Sequence, residues 1–289
     1  MTGQDTTVVR AALRRVWPDP AVAEKAQIRP LSGGLNPRSF LAVAGGRRCV
    51  LRVPTPGATA LLDFATEVRA MRAAAAAGLA PAVVAADVNE GLLLTEYRVA
   101  AWTPDLARHP VNIPRIAALL RALHAVAVDL PVFRVERTAG EYLAALEANG
   151  APAPPYAERA WADELLRLAR QFDASCEPTA FCHNDLVAAN VLDIGAGLLL
   201  VDFEYAVRSA PLLDLASLAG MNDYTLVQRR ELLSAYYRES AAPVTTLDLD
   251  NAVRMVRLLA FFWARAAAQR VAGTDVYERL AARLQEQLQ

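Results

Sequence analysis

Apolar residues recur at helical spacing from the beginning of the chain. Val8, Val9, Leu13 and Val16 predict an amphipathic helix within residues 1–25, ended by Pro18 and Pro20. The pattern then changes to short apolar runs. Ile28–Leu35, Ser39–Val43 and Arg48–Val53 read as strands, with Gly33-Gly34 and Gly45-Gly46 as turns. An alanine-rich helix over 59–78 follows; it carries Glu67 and is closed by Gly78, with Pro81 beyond. Strands near Val83–Val88 and Leu92–Tyr97 flank the turn Asn89-Glu90-Gly91. From Pro114 onward helices dominate, over 114–127, 138–148, 158–174, 211–220, 226–239 and 248–271, with a short terminal one. The expected fold class is therefore α+β. Residues 1–97 would form a small antiparallel sheet lobe with one long helix, and residues 98–289 a larger helical lobe. The boundary falls in the turn-rich segment Tyr97–Pro110.

Composition narrows the function classes. The 289 residues are 54% hydrophobic, enough for a sizeable core and too apolar for a disordered chain. No uncharged apolar run reaches the roughly 18 residues of a membrane span, and Met1–Arg15 lacks the apolar centre of a signal peptide. A net charge of −1, with basic residues scattered over helix faces, gives no footprint for nucleic acid. Cys49, Cys176 and Cys182 are too few and too irregular for a disulfide framework or a zinc site, so the cytoplasm is the expected location. Of 30 basic residues only Lys25 is a lysine.

Candidate chemistry concentrates in one stretch. An apolar strand runs through Phe181-Cys182 into His183-Asn184-Asp185, and a second carries Asn190-Val191-Leu192. After a turn with Gly195 and Gly197, Leu199-Leu200-Val201 ends in Asp202. Protein kinases use these residue types in this order: an Asp for the substrate hydroxyl, an Asn five residues on, and a later Asp for Mg²⁺. A hairpin between Asn190 and Asp202 would turn both toward one metal site while Asp185 serves the acceptor. The glycine turn at Ser32-Gly33-Gly34 comes upstream of this set. Such turns are mostly plain hairpins, but one placed there would let backbone amides approach a phosphate.

Taken together, these motifs resemble the aminoglycoside phosphotransferase and choline kinase superfamily, closest to its choline/ethanolamine kinase branch. The resemblance rests on Leu31-Ser32-Gly33-Gly34-Leu35, Val50-Leu51-Arg52-Val53, His183-Asn184-Asp185-Leu186 with Asn190, and Asp202-Phe203-Glu204-Tyr205-Ala206. It implies a two-lobed, protein-kinase-like fold, with ATP and Mg²⁺ as cofactors. Asp185 would be the catalytic base, and Asn190 and Asp202 the metal ligands. Ser32, Gly33, Gly34, Arg52, Glu67, Glu96 and Tyr97 would meet the nucleotide, with Arg52 paired to Glu67 in place of a lysine. His183 and Asp214 would support the catalytic loop, while His124 matches a family position of structural character.

The implied acceptor is a small molecule bearing a hydroxyl, an amino alcohol such as choline or ethanolamine, bound by Glu204, Tyr205, Asp223, Tyr224 and Trp263. Quaternary ammonium groups gain from aromatic faces, although Phe261 and Phe262 beside Trp263 read as core. Position 266 is alanine where a second tryptophan is usual in choline kinases, and Asn36-Pro37 alters the glycine loop. An aminoglycoside, thiamine or homoserine kinase, and a nucleotide-binding pseudoenzyme, stay open as alternatives. So does oligomeric state, a homodimer included.

Overall fold

The computed structural model describes residues 3–31, 39–54, 63–148, 156–238, 244–270 and 275–289. In chain order the first elements are α1 (Gly3–Val16), α2 (Pro20–Glu24), β1 (Gln27–Pro30), β2 (Ser39–Ala44), β3 (Arg47–Arg52), α3 (Phe64–Ala76), β4 (Val83–Asp87) and β5 (Leu92–Glu96). Then come α4 (Pro104–Arg108), α5 (Asn112–His124), α6 (Val135–Ala148), α7 (Tyr156–Ser175), β6 (Ala180–Cys182), β7 (Val191–Asp193), β8 (Leu198–Leu200) and β9 (Val207–Ser209). The helices α8 (Pro211–Met221), α9 (Leu226–Tyr237), α10 (Thr246–Arg270) and α11 (Asp275–Leu288) complete the chain. The class is α+β, and two compact units are present. The first comprises Met1–Thr103, Val126–Leu130 and Ala188–Ala206; the second comprises Pro104–Ala125, Pro131–Val187 and Val207–Gln289. Where the sequence suggested one boundary at 97/98, the first unit also takes two later segments.

In the first unit an antiparallel sheet has the order β1-β2-β3-β5-β4. Alternation along its strands sends Phe40, Ala42, Ala44, Cys49, Leu51, Leu92 and Leu94 into one core with Val9, Leu13, Val16 and Trp17. Val8, expected in the same helical stripe, is 54% exposed because it lies about 100° around α1 from Val9. The helix stops at Val16, well short of residue 25. Pro20 instead opens α2, whose first turn is capped by Asp19 accepting the Ala21 N–H at 2.9 Å. Gly45 and Gly46, at φ +54° and +74°, supply the left-handed pair that a two-residue hairpin needs. Asp63 caps α3, and Gly78 at φ +74° ends it.

Hydrogen bonds draw the β7–β8 hairpin into this unit: Trp102 N–H to Val191 O, Asp193 N–H to Ala100 O, and Leu200 N–H to Leu79 O, each at 2.8 Å.

In the second unit α10 packs against α6, α7, α8 and α11, and α5 against α9. Residues Leu212–Gly220 of α8 are all buried. A helix enclosed on every side carries no polar stripe, which is why α8 reads as an apolar run. The short helix α4 was not anticipated, and α11, at 14 residues, is longer than expected. Among the described residues no helix is long and apolar enough to cross a membrane.

Leu13 is fully buried. Leu13→Ala is expected to destabilise the protein by about 2–5 kcal/mol, and Val8→Ala by less than about 0.5 kcal/mol. Urea denaturation of the two variants checks the pair.

Candidate functional site

The first unit gathers Arg52, Glu67 and Asp202. Strand alternation fixes Arg52: Cys49 and Leu51 face the α1 core, so Val50 and Arg52 face the other way. The guanidinium forms ion pairs with Glu67 Oε2, from the first turn of α3, and with Asp202 Oδ1 at 2.9 Å, Nη2 and Nη1 each taking one carboxylate. The Phe64 ring lies 5.9 Å from the Arg52 Cζ. Burial opposes the charge on Arg52, yet Glu67, Asp202 and Glu204 together hold its pKa above the ordinary arginine value. Burial also pushes the Glu67 carboxyl above the usual glutamate range; Arg52 counters this and Asp202 reinforces it. Glu67 is 5% exposed, and its Oε1 has no hydrogen-bond partner among the described residues.

Asn190 and Asp202 lie at the open end of the β7–β8 hairpin. Val191 pairs with Leu200, and the next rung is the Val201 N–H donating to Asn190 O at 3.0 Å. Asp202 follows at φ +66°, a left-handed conformation that Asp tolerates better than most residues. Asn190 offers an amide oxygen and Asp202 a carboxylate, hard donors that fit Mg²⁺ rather than a thiophilic metal.

The second unit holds the His183–Leu186 loop, and α8 secures it. Asp214, fully buried, accepts the His183 N–H on Oδ2 at 2.9 Å and the Asn184 N–H on Oδ1 at 2.8 Å. The Asp185 N–H points at His183 Nδ1 at 3.3 Å. Ser217 Oγ accepts the Leu186 N–H at 3.1 Å, and Asn222 Nδ2 donates to Leu186 O at 2.7 Å. Asn184 sits at φ +63°. Every backbone N–H from His183 to Leu186 thus has a side-chain acceptor. Ser217 and Asn222 were missed from sequence. The available signal was Asp214 and Ser217, three residues apart on an otherwise apolar helix.

Other expected site residues are placed as follows. Ser32, Gly33 and Gly34 lie outside the described residues. Glu96 pairs with Arg98 at 2.6 Å, and the Tyr97 ring lies 4.4 Å below the Arg48 guanidinium. Both border a hollow of about 410 Å³ with Arg47, Arg48 and Val84. A larger hollow of about 590 Å³, among Arg134, Glu136, Arg137, Arg170 and Asp173, contains none of the expected residues.

Glu204 and Tyr205 are half-buried in the first unit. Asp223 Oδ1 accepts from Arg257 Nη2 at 3.1 Å and from Gln287 Nε2 at 2.6 Å. Trp263, half-buried, meets Tyr277 edge-on at 5.6 Å. Tyr224 is a core residue instead of an open aromatic face: it is 2% exposed and its hydroxyl donates to Ala107 O at 2.6 Å. Phe261 and Phe262 are likewise core, as expected.

Asp214→Ala would strip the acceptor from two buried loop amides. It is expected to cost about 2–6 kcal/mol at about 1–3 kcal/mol per orphaned donor, against about 1–3 kcal/mol for Ser217→Ala, which orphans the Leu186 N–H alone. Thermal or urea unfolding checks the ranking.

The model of a phosphotransferase enzyme family matches residues 27–251. Among solved structures, a choline/ethanolamine kinase family protein from Mesorhizobium loti is similar at 25% identity and TM-score 0.77, over 97% of this chain and 94% of that one. A choline kinase from Streptococcus pneumoniae superposes at TM-score 0.81 and 18% identity over 99% of both chains, and has also been determined in complex with AMP. A macrolide 2′-phosphotransferase from Brachybacterium faecium has TM-score 0.65 and 20% identity, over 97% of this chain and 98% of that one. No curated protein matches the chain in sequence.

Proposed function

This chain belongs to the phosphotransferase enzyme family, and from that premise we propose an ATP- and Mg²⁺-dependent kinase whose acceptor is the hydroxyl of an amino alcohol, choline or ethanolamine first. The observation that carries this reading is the guanidinium of Arg52 held between Glu67 and Asp202. A planar fork fixed at the end of a strand is suited to triphosphate oxygens, and Glu67 fixes its direction.

In this proposal Asn190 and Asp202 hold Mg²⁺. The ion, when bound, neutralises charge on the β- and γ-phosphates. Arg52 orients the phosphate tail, and Glu96 and Tyr97 meet the rest of the nucleotide. Asp185 aligns the acceptor hydroxyl for in-line attack and takes its proton. The acceptor oxygen forms a bond to the γ-phosphorus as the bond to the β,γ-bridging oxygen breaks, and ADP leaves. Asp214, Ser217 and Asn222 keep the Asp185 loop in one conformation, so that little reorganisation accompanies the reaction.

Glu204, Tyr205, Asp223 and Trp263 are assigned to the cationic head of the acceptor, for which a carboxylate and an aromatic face are the suitable partners. The Mesorhizobium relative's family supports this choice. A polycationic antibiotic would call for carboxylates spread over a broad floor. In the second unit, Asp250 is engaged by Arg229 at 2.7 Å and Asp248 by Thr245 at 2.7 Å, which favours the smaller acceptor.

A coupled assay with MgATP over amino alcohols, aminoglycosides and macrolides tests the reading. Choline or ethanolamine should turn over best. Asp185→Asn should lower kcat by about 10²–10⁴-fold. Arg52→Ala should raise the KM for ATP by about 10- to 100-fold, the worth of charge-assisted hydrogen bonds. Turnover of an antibiotic alone would overturn the substrate class. Nucleotide binding with no turnover of any acceptor would reduce the protein to a nucleotide-binding module.

A further inference from the structure

In the kinase reading Arg52 meets the phosphates and Asp202 the metal, yet these two residues also hold each other. Nη1 of Arg52 donates to Asp202 Oδ1 at 2.9 Å, while Nη2 pairs with Glu67 Oε2. One arm of the phosphate-binding group is therefore engaged by the carboxylate that the metal needs.

The two arms are not equally held. The Glu67 side chain is 5% exposed, and its Oε1 has no hydrogen-bond partner among the described residues. Withdrawing Nη2 would leave a buried carboxylate without its cation, which is costly. The Asp202 side chain is 36% exposed, so water can replace Nη1 there at much smaller cost. The pair with Glu67 is thus the fixed half of the arrangement, and the contact with Asp202 is the half that yields. Asp202 does not depend on Arg52 alone for its position. The Val201 N–H, bonded to Asn190 O at 3.0 Å, places the preceding residue on the hairpin.

This geometry sets up a competition for one carboxylate. A divalent cation approaching Asp202 meets a charge that a guanidinium already answers, and the guanidinium itself repels the cation. A phosphate chain changes the balance. Its oxygens accept Nη1 in a charge-assisted bond, and Asp202 is left to the cation. Glu204, whose charge also acts on Arg52, adds to the negative field that remains.

On the premise that Arg52 meets phosphate and Asp202 metal, we propose that the Nη1 arm of Arg52 is a latch. It shields Asp202 from divalent cations until a phosphate chain takes the arm over, so that nucleotide and metal enter as coupled ligands. Such coupling is reciprocal: a cation on Asp202 in turn releases the arm to phosphate. A guanidinium suits the task because one nitrogen can be withdrawn while the other stays with Glu67. A lysine has a single ammonium, and Glu67 is the costlier partner to abandon. Arg52→Lys would therefore keep the buried pair and the net charge but open the latch.

Mn²⁺, a hard cation that takes the same oxygen donors as Mg²⁺, tests this in the nucleotide-free full chain. Its uptake is read from the electron paramagnetic resonance of the free ion, without turnover. The wild type should bind Mn²⁺ weakly. Arg52→Ala and Arg52→Lys should each bind it about 5- to 150-fold more tightly, the range of an ordinary coupling between two ligands. Adding Asp202→Asn to Arg52→Lys should abolish that gain. Conversely, Asp202→Asn alone should tighten the binding of ADP in EDTA, because the arm is then available to phosphate.

Equal Mn²⁺ affinity in the wild type and Arg52→Lys overturns the proposal whatever Arg52→Ala does, since a gain confined to Arg52→Ala reports net charge and no latch. A gain that survives Asp202→Asn overturns it as well. So does metal-free ADP binding that Asp202→Asn leaves unchanged or weakens. If the Mn²⁺ and ADP shifts are present and no acceptor is phosphorylated, the kinase reading fails and the latch stands.

Discussion

The interaction on which the first unit depends is one guanidinium shared by two carboxylates. Arg52 comes from β3, Glu67 from α3, and Asp202 from a segment 150 residues later in the chain. Desolvating an arginine to this degree costs several kcal/mol, and one carboxylate seldom offsets it. Two of them, each met by one arm of the same planar group, come closer to doing so. A lysine could not take this place without losing the division between Nη1 and Nη2, because its ammonium is a single point of charge on a flexible stem. That division ties the late segment to the sheet, with the hydrogen bonds from Trp102, Asp193 and Leu200 acting in parallel.

The second unit solves a different problem with the opposite means. A loop that must present polar groups in one geometry is secured by a helix that is apolar almost throughout. Buried in α8, Asp214 and Ser217 gain their effect from their surroundings, since a hydrogen bond in a dry interior has no competing water and an unmade one is expensive. The loop's amides and the helix's acceptors therefore constrain each other. His124 and Tyr236 extend this arrangement outward from α8 to α5 and α9.

Much of this was legible in the residues. Periodicity located the five strands of the sheet and most helices. The ordered set Asp185, Asn190, Asp202 marked the stretch to which the proposed chemistry is assigned, and the pairing of Arg52 with Glu67 followed from the family resemblance and is present in the structure. What sequence could not reveal falls into two kinds. Contacts from a side chain to distant backbone, such as Ser217 with Leu186 or Asn222 with the same residue, leave no periodic trace. Burial of an aromatic is the other kind. Tyr224 and Trp263 look alike as candidates for a cationic ligand, yet only packing reveals that Tyr224 is enclosed with its hydroxyl engaged by Ala107. The split of α1 from α2 had a local cause that was visible but misread: Pro20 begins a helix as readily as it ends one.

The near-absence of lysine has a practical corollary. Nucleotide analogues carrying a reactive acyl group at the phosphate end mark kinases by acylating an amine beside the phosphates. In this chain the corresponding strand position is a guanidinium, and the single ε-amine belongs to Lys25, exposed at the end of α2. Under the proposed assignment of Arg52 to the phosphates, reagents of that type would find no amine to acylate there. Conversely, amine-directed fluorophores or surface linkers would attach at Lys25, on an element remote in sequence from Arg52, Asp185 and Asp202, and leave those residues chemically intact.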